Sequence, residues 1–319
     1  MKIIVFKGGL GNQLFQLAFY LYLRKKLPFE KIKINSKTGF ILDYKYKRKF
    51  QLKRINSYLD QSSCLINLSI TFIVILDRFS QILKYFKNIK VIKSLDEFIL
   101  EKKTTNQNKK FSDKKFLSED FIDYFNLKNN IIFNGYFQYY QVVKEVLPEL
   151  ARICNSYLEG ESNIKFSNLY KKIILSKNSV SIGIRLYEET KDPTLYSFNH
   201  KEKTPKDYNK IIKKLESCLN EPTFFIFVKE ENKFTDQLEF NSKHYFITIK
   251  KGYVDPWACI KAQSLCQHHL FNNSTFYWWG CILSGQVFRK SAEPSFKSYI
   301  FASDNFTDPK IYHPDWEKF

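Results

Sequence analysis

Three short stretches of the sequence carry residues suited to gripping an anion, and each follows a run that reads as a β-strand. The first is Gly8-Gly9-Leu10-Gly11-Asn12-Gln13, after the apolar run Lys2–Phe6. Glycines allow a tight turn and a close backbone approach, and the helix that follows offers its first N–H groups to negative charge. The spacing is not the G-x-G-x-x-G dinucleotide fingerprint, and no Gly-Lys-Ser/Thr follows as in a P-loop. A plain β-to-α turn would use the same glycines. The amides of Asn12 and Gln13 at the helix start favour ligand contact.

The second stretch holds Arg185 and Glu188. In a strand over Ser179–Arg185, Val180, Ile182 and Ile184 share one face while Ser181, Gly183 and Arg185 share the other. Arg185 is therefore expected at a strand end, on the side its small neighbours leave open. A guanidinium there suits a diphosphate, with two parallel donors and a charge that never titrates away. A surface arginine paired with Glu188 or Glu189 is the plainer alternative. The third stretch, Asn272-Asn273-Ser274-Thr275-Phe276-Tyr277-Trp278-Trp279-Gly280, ends a strand in polar residues and starts a helix. Hydroxyls and helix-start N–H groups form an anion site there, or else an ordinary helix cap. Trp278 and Trp279 are expected in the core.

The elements that must position these residues alternate along the chain. Strands are expected at Lys2–Phe6, Lys31–Asn35, Asn130–Asn134, Ser179–Arg185, Thr223–Val228, His244–Ile249 and His268–Phe271. Helical periodicity runs from Leu14 through Tyr22, over Gln141–Tyr157 with a kink or break expected at Pro148, and over Tyr208–Leu219. Lys102–Lys115 reads as an exposed loop and Glu159–Ser167 as a linker. Strands alternating with helices imply α/β architecture with mainly parallel sheets. Two domains are expected, 1–160 and 161–319. Ligands of such sheets bind outside the carboxyl ends of the strands, where all three stretches lie.

Composition narrows the class. Lys and Arg number 51 against 32 Asp and Glu, a net charge of +19, so polyanions and anionic membrane surfaces should be attracted. The charge is dispersed rather than gathered in one arm. A nucleic-acid-binding protein is the rival from another class, but no Arg-rich element, zinc finger or RNP-like motif accompanies the charge. The most apolar run, Leu65–Leu76, is shorter than the roughly 20 residues that span a bilayer and reads as a buried helix. Met1–Phe6 leads straight into the glycine loop with no signal-peptide pattern, so a cytoplasmic location is expected, with peripheral contact at the inner membrane face. The six cysteines lack zinc or redox spacing, and Cys266, His268 and His269 alternate across a strand, so no metal site is assigned.

Taken together, GGLGNQLFQLA from Gly8, the strand ending at Arg185 and NNSTFYWWGCIL from Asn272 resemble the bacterial α-1,2-fucosyltransferase family. The family's motifs read approximately GGLGNQMFQYA, HIRRGDY and NSSFSWWGAWL. Gly135-Tyr136-Phe137-Gln138 is similar to the family's GYWQ, and Tyr312–Trp316 (YHPDW) closes the chain as the family closes. The resemblance implies a GT-B fold of two Rossmann-like domains facing a cleft. It further implies metal-independent, inverting transfer of L-fucose from GDP-β-L-fucose to a hydroxyl, of the 2-OH kind on a galactose-like residue. The acceptor would be a glycan or lipid-linked oligosaccharide of O-antigen or capsule assembly. By carry-over Arg185 holds the diphosphate, Asn273, Ser274, Thr275 and Phe276 line the donor phosphate site, and Gly11, Asn12 and Gln13 line the acceptor side. The central motif departs from the pattern: Gly183 replaces the histidine, Leu186 the second arginine and Glu188 the aspartate. The departures admit another GDP-6-deoxy sugar such as GDP-colitose, or a member that binds GDP without transferring. Glu188 is the candidate catalytic carboxylate beside Arg185.

Overall fold

The computed structural model describes residues 1–44, 46–78, 90–92, 131–158, 164–186, 203–284, 297–306 and 308–319. It divides into two units, Met1–Leu150 and Ala151–Phe319.

In the first unit, four short strands make a parallel sheet: β1 (Lys2–Val5), β2 (Ile32–Asn35), β3 (Lys90–Ile92) and β4 (Ile131–Phe133), in the order β2-β1-β4-β3. Strands β1 and β4 carry continuous apolar runs because a parallel sheet is covered on both faces, whereas the edge strand β2 alternates, with Lys33 half-exposed between Ile32 and Ile34. Helix α1 (Leu10–Lys26) is buried on nearly every side from Leu10 to Leu23, and its last turn carries Arg24, Lys25 and Lys26. Those cations lie where the helix dipole is negative. After α2 (Thr38–Ile41) comes α3 (Cys64–Arg78), which places Ile70 and Val74 against Ile3, Val5 and Ile132 of the sheet.

Helix α3 corrects the expectation of a buried helix over Leu65–Leu76. Only one face packs; Leu65, Leu68 and Phe72 are 77%, 64% and 57% exposed. Helix α4 (Tyr140–Leu158) corrects another, since it runs through Pro148 as one element. Pro148 lies on the exposed side, where water can satisfy the carbonyl it leaves unbonded, while Val142, Val143, Val146, Leu150 and Ile153 bury the opposite stripe. The expected linker at 159–167 overlaps α5 (Ile164–Leu175), whose Phe166, Leu169 and Ile173 are buried; residues 159–163 and the Lys102–Lys115 stretch lie outside the described residues.

The second unit is a six-stranded sheet of β5 (Asn178–Gly183), β6 (Pro222–Phe227), β7 (Lys243–Ile247), β8 (His268–Phe271), β9 (Ile300–Ala302) and β10 (Glu317–Lys318). Every pairing is parallel, in the order β10-β9-β8-β5-β6-β7. Numbered within the unit this is 3-2-1-4-5-6 read from its other edge, the strand order of the doubly wound dinucleotide fold. Helix α6 (Pro205–Cys218) starts with a capping box between Thr204 and Asp207 and lays Tyr208, Ile212 and Leu215 on Val180, Ile182 and Ile184. Helices α7 (Pro256–Ser264) and α8 (Thr275–Ile282) follow β7 and β8.

The turn after β1 is held by a buried amide. Gln16, fully buried on α1, accepts from the Lys7 N–H at 3.0 Å and donates to the carbonyls of Val5 at 3.2 Å and Gly135 at 2.8 Å. Gln16→Leu keeps the helix but strands the Lys7 N–H and the Gly135 carbonyl in a dry site. Chemical denaturation should show a loss of about 2–4 kcal/mol, the cost of two unsatisfied buried groups.

Candidate functional site

Each sheet reverses its direction of winding beside its first strand. In the second unit the chain goes from β5 to β6 and β7 on one side, then returns to β8 on the other. The carboxyl ends of β5 and β8 are therefore the point where the winding reverses, the place at which sheets of this kind open a crevice. Arg185 follows β5 there, and Asn272–Phe276 follow β8. In the first unit the same reversal lies between β1 and β4, followed by Gly8–Gln13 and Asn134–Gln138.

Strand β5 ends at Gly183, two residues before the end expected from the sequence. The backbone beyond it is held by side chains. Ile184 N–H still reaches the Phe227 carbonyl at 3.0 Å. Asn272, nearly buried, then takes over from the sheet: its Oδ1 accepts from the Arg185 N–H at 2.9 Å and its Nδ2 donates to the Arg185 carbonyl at 2.7 Å. Tyr208 Oη donates to the Gly183 carbonyl at 2.9 Å. Burial pushes the Tyr208 phenol well above its usual value, so it stays a neutral donor. Tyr277 Oη lies 3.0 Å from the Ile184 carbonyl and 2.9 Å from that of Phe227, sharing its proton between them. The Arg185 backbone is thus fixed while its side chain stands half-buried at the crevice. The face expected to be open at Gly183 is instead filled by the Tyr277 ring.

Ser274 is the N-cap of α8, in extended conformation, and its side chain makes no capping bond. Its hydroxyl is not committed to its own helix, which separates it from the ordinary cap that the sequence also allowed. No acidic residue occupies the first turn of α8, so the helix itself supplies no anion to its positive end. Asn273 ties the loop down by donating from Nδ2 to the Asn305 carbonyl at 3.0 Å. Thr275 and Phe276 are half-buried beside it. Trp278 and Trp279 are fully buried, as expected; Trp278 Nε1 donates to the Ile311 carbonyl at 2.9 Å, and Trp316 packs on both Trp278 and Phe271. The closing YHPDW motif is therefore the support behind α8. Glu188 lies outside the described residues.

In the first unit Gly8 has φ +81°, and a Cβ there would stand 2.7 Å from Asn12 Nδ2, so only glycine fits the turn. Asn12 sits half-buried at the rim and accepts from Gln138 Nε2 at 2.9 Å. Gly11 is buried in the first helical turn. Gln13 corrects the expectation of ligand contact: it is fully buried, donates to the carbonyls of Gly8 and Lys49, and accepts from the Gln51 N–H at 2.8 Å. It shapes the loop from behind. Lys7 Nζ donates to Asn134 at 2.6 Å (carbonyl) and 3.0 Å (Oδ1), and lies 5.2 Å from the centre of the Tyr136 ring. Burial raises the Tyr136 phenol above its ordinary value, with Arg48 opposing.

No family model matches the chain. The O-antigen biosynthesis glycosyltransferase WbnK of Escherichia coli is 25% identical over 289 residues, covering 87% of this chain and 88% of WbnK. Two solved structures are similar at lower identity. An arginine-to-lysine mutant of Arabidopsis thaliana FUT1 in complex with GDP has a TM-score of 0.40 and 11% identity, over 96% of this chain and 71% of that one. A glycosyl transferase family 9 protein from Veillonella parvula has a TM-score of 0.42 and 11% identity, over 100% and 85%.

Sequence reasoning placed Arg185, Ser274 and Asn12 at the crevices but missed Asn272, Tyr208 and Tyr277, which act on backbone. A signal for Asn272 existed: an asparagine at a strand end carries both a donor and an acceptor, as a ladder residue does. Among the described residues no group of three or more His, Cys, Asp or Glu could hold a metal ion, and no helix is long and apolar enough to cross a membrane. If Asn272 is the lock, Asn272→Ala should cost about 2–4 kcal/mol in urea denaturation, because the Arg185 N–H and carbonyl lose their partners. Arg185→Ala, removing a half-buried side chain, should cost less than about 1 kcal/mol. Equal losses would make the arginine itself structural.

Proposed function

We propose that this protein is a glycosyltransferase of the GT-B type that moves L-fucose from GDP-β-L-fucose to a hydroxyl of a glycan acceptor in O-antigen assembly. The observation that carries the reading is Arg185, locked by Asn272 at the reversal point of a doubly wound sheet and one strand from the start of α8. Similarity to WbnK along most of the chain supports glycosyl transfer, and the sequence motifs support the GDP-fucose donor.

Transfer breaks the bond between the anomeric carbon and the diphosphate, whose oxygen keeps the electron pair. The acceptor hydroxyl attacks from the opposite face through an oxocarbenium-like transition state and gives up its proton. Negative charge grows on the leaving GDP. The Arg185 backbone and the N–H groups at the start of α8 are held in place before that charge appears, so the guanidinium and the Ser274 hydroxyl act from a fixed frame and little reorganisation is needed. Asn273, Thr275 and Phe276 complete that wall. From the motif resemblance, Gly11 and Asn12 are assigned to the acceptor, and Glu188 is the candidate catalytic carboxylate, to orient Arg185 or to receive the acceptor proton.

A donor screen with GDP-L-fucose, GDP-colitose and GDP-mannose, read by mass spectrometry, tests the reading; no turnover and no GDP binding would overturn it. Arg185→Ala and Arg185→Lys should each lose at least roughly 100-fold in kcat while folding normally, since a point charge does not replace the bidentate fork. Charge stabilisation by Arg185 and α8 also predicts full turnover in excess EDTA, and a strict Mg²⁺ or Mn²⁺ requirement would contradict it.

A further inference from the structure

Gly183 does not owe its identity to its backbone, since its φ lies outside the left-handed region. What confines it is a ring. A Cβ on Gly183 would stand 2.3 Å from Tyr277 Cγ, 2.6 Å from Cδ2 and 2.7 Å from Cδ1, closer than real Cβ atoms come. The ring cannot yield, because Tyr277 is buried and its hydroxyl is tied to the carbonyls of Ile184 and Phe227. In the motifs this chain resembles, a histidine occupies the place of Gly183 and a serine the place of Tyr277. Those motifs pair a large residue at the strand position with a small one at the helix position, and here the sizes are reversed.

We infer that Gly183 and Tyr277 are one exchanged unit, in which a phenol from α8 replaces a side chain on β5 and becomes the positioning residue for Arg185. Tyr277 reaches the last carbonyl of β6 and the carbonyl immediately before Arg185, so it joins β5, β6 and α8 at the crevice. Asn272 holds the residue after that carbonyl. The two side chains together set where the guanidinium starts. The packing half of the inference rests on the Gly183–Tyr277 geometry and the quoted motifs; the positioning half rests on the donor-site reading above.

The test is a double-mutant cycle of Gly183→His, Tyr277→Ser and the pair, read by thermal unfolding, with Tyr277→Phe added for GDP affinity by calorimetry. Gly183→His alone should lower Tm by more than about 8 °C, Tyr277→Ser by roughly half that, and the pair should melt above Gly183→His. Should Gly183→His fail to fold, Gly183→Ala with and without Tyr277→Ser gives the same comparison. A pair no more stable than the Gly183 variant alone overturns the exchange. Tyr277→Phe keeps the ring, so its Tm should fall by less than about 4 °C while GDP binds about fivefold more weakly. Unchanged GDP affinity overturns the positioning role. Failure of the parent protein to bind GDP removes the donor reading and the positioning role with it, while the stability cycle still decides the exchange.

Discussion

A chain leaving a parallel sheet must find new partners for its backbone groups within a residue or two, or hand them to water. At Gly183–Arg185 strand β6 still takes the Ile184 N–H, and side chains take much of the rest: Tyr208, Tyr277 and Asn272 reach the carbonyls of Gly183, Ile184 and Arg185. That constraint governs the second unit. It sets how α6 and α8 must lie, because their tyrosines have to reach strand carbonyls, and it fixes the backbone of the half-buried arginine. Buried hydrogen bonds of this kind contribute modestly when made and cost more when one partner is lost, so the arrangement resists piecemeal change.

The first unit solves the same problem with amides. Gln13 and Gln16 lie three residues apart on α1, hence on one face, and both turn inward to backbone groups around the glycine loop. Amide and phenol side chains have been placed behind both loops, leaving the rims to Asn12, Arg185 and Ser274. Rim residues and scaffold residues thus occupy adjacent positions in the same short motifs. That proximity is why motif residues cannot be assumed to touch a ligand.

The sequence conveyed the architecture well, because parallel strands buried on both faces leave continuous apolar runs such as Thr223–Val228, and the turn chemistry of Gly8 is local. It conveyed less where tertiary packing decided. Pro148 argued for a break, yet the buried stripe of α4 carried the helix through. Leu65–Leu76 looked buried because its apolar residues surround the helix, whereas only one face, with Ile66, Ile70, Ile73 and Val74, meets the sheet core. Arg185 and Ser274 were legible as charge and hydroxyl at strand ends. Asn272 and Tyr277 were not, since their partners are main-chain atoms 87 and 93 residues away in sequence. The emptiness beside Gly183 was misread for the same reason: a missing side chain says nothing about which distant ring fills the space.

The support behind α8 comes from the chain's last stretch, where Ile311 receives the Trp278 indole N–H, Trp316 covers Trp278 and Phe271, and β10 adds the outermost strand. A single ring therefore covers two elements at once, because Trp316 lies against Phe271 at the end of β8 and against Trp278 in α8. The carboxyl end of a strand and the helix that follows it are clamped together by a residue belonging to neither, and the loop between them inherits that rigidity.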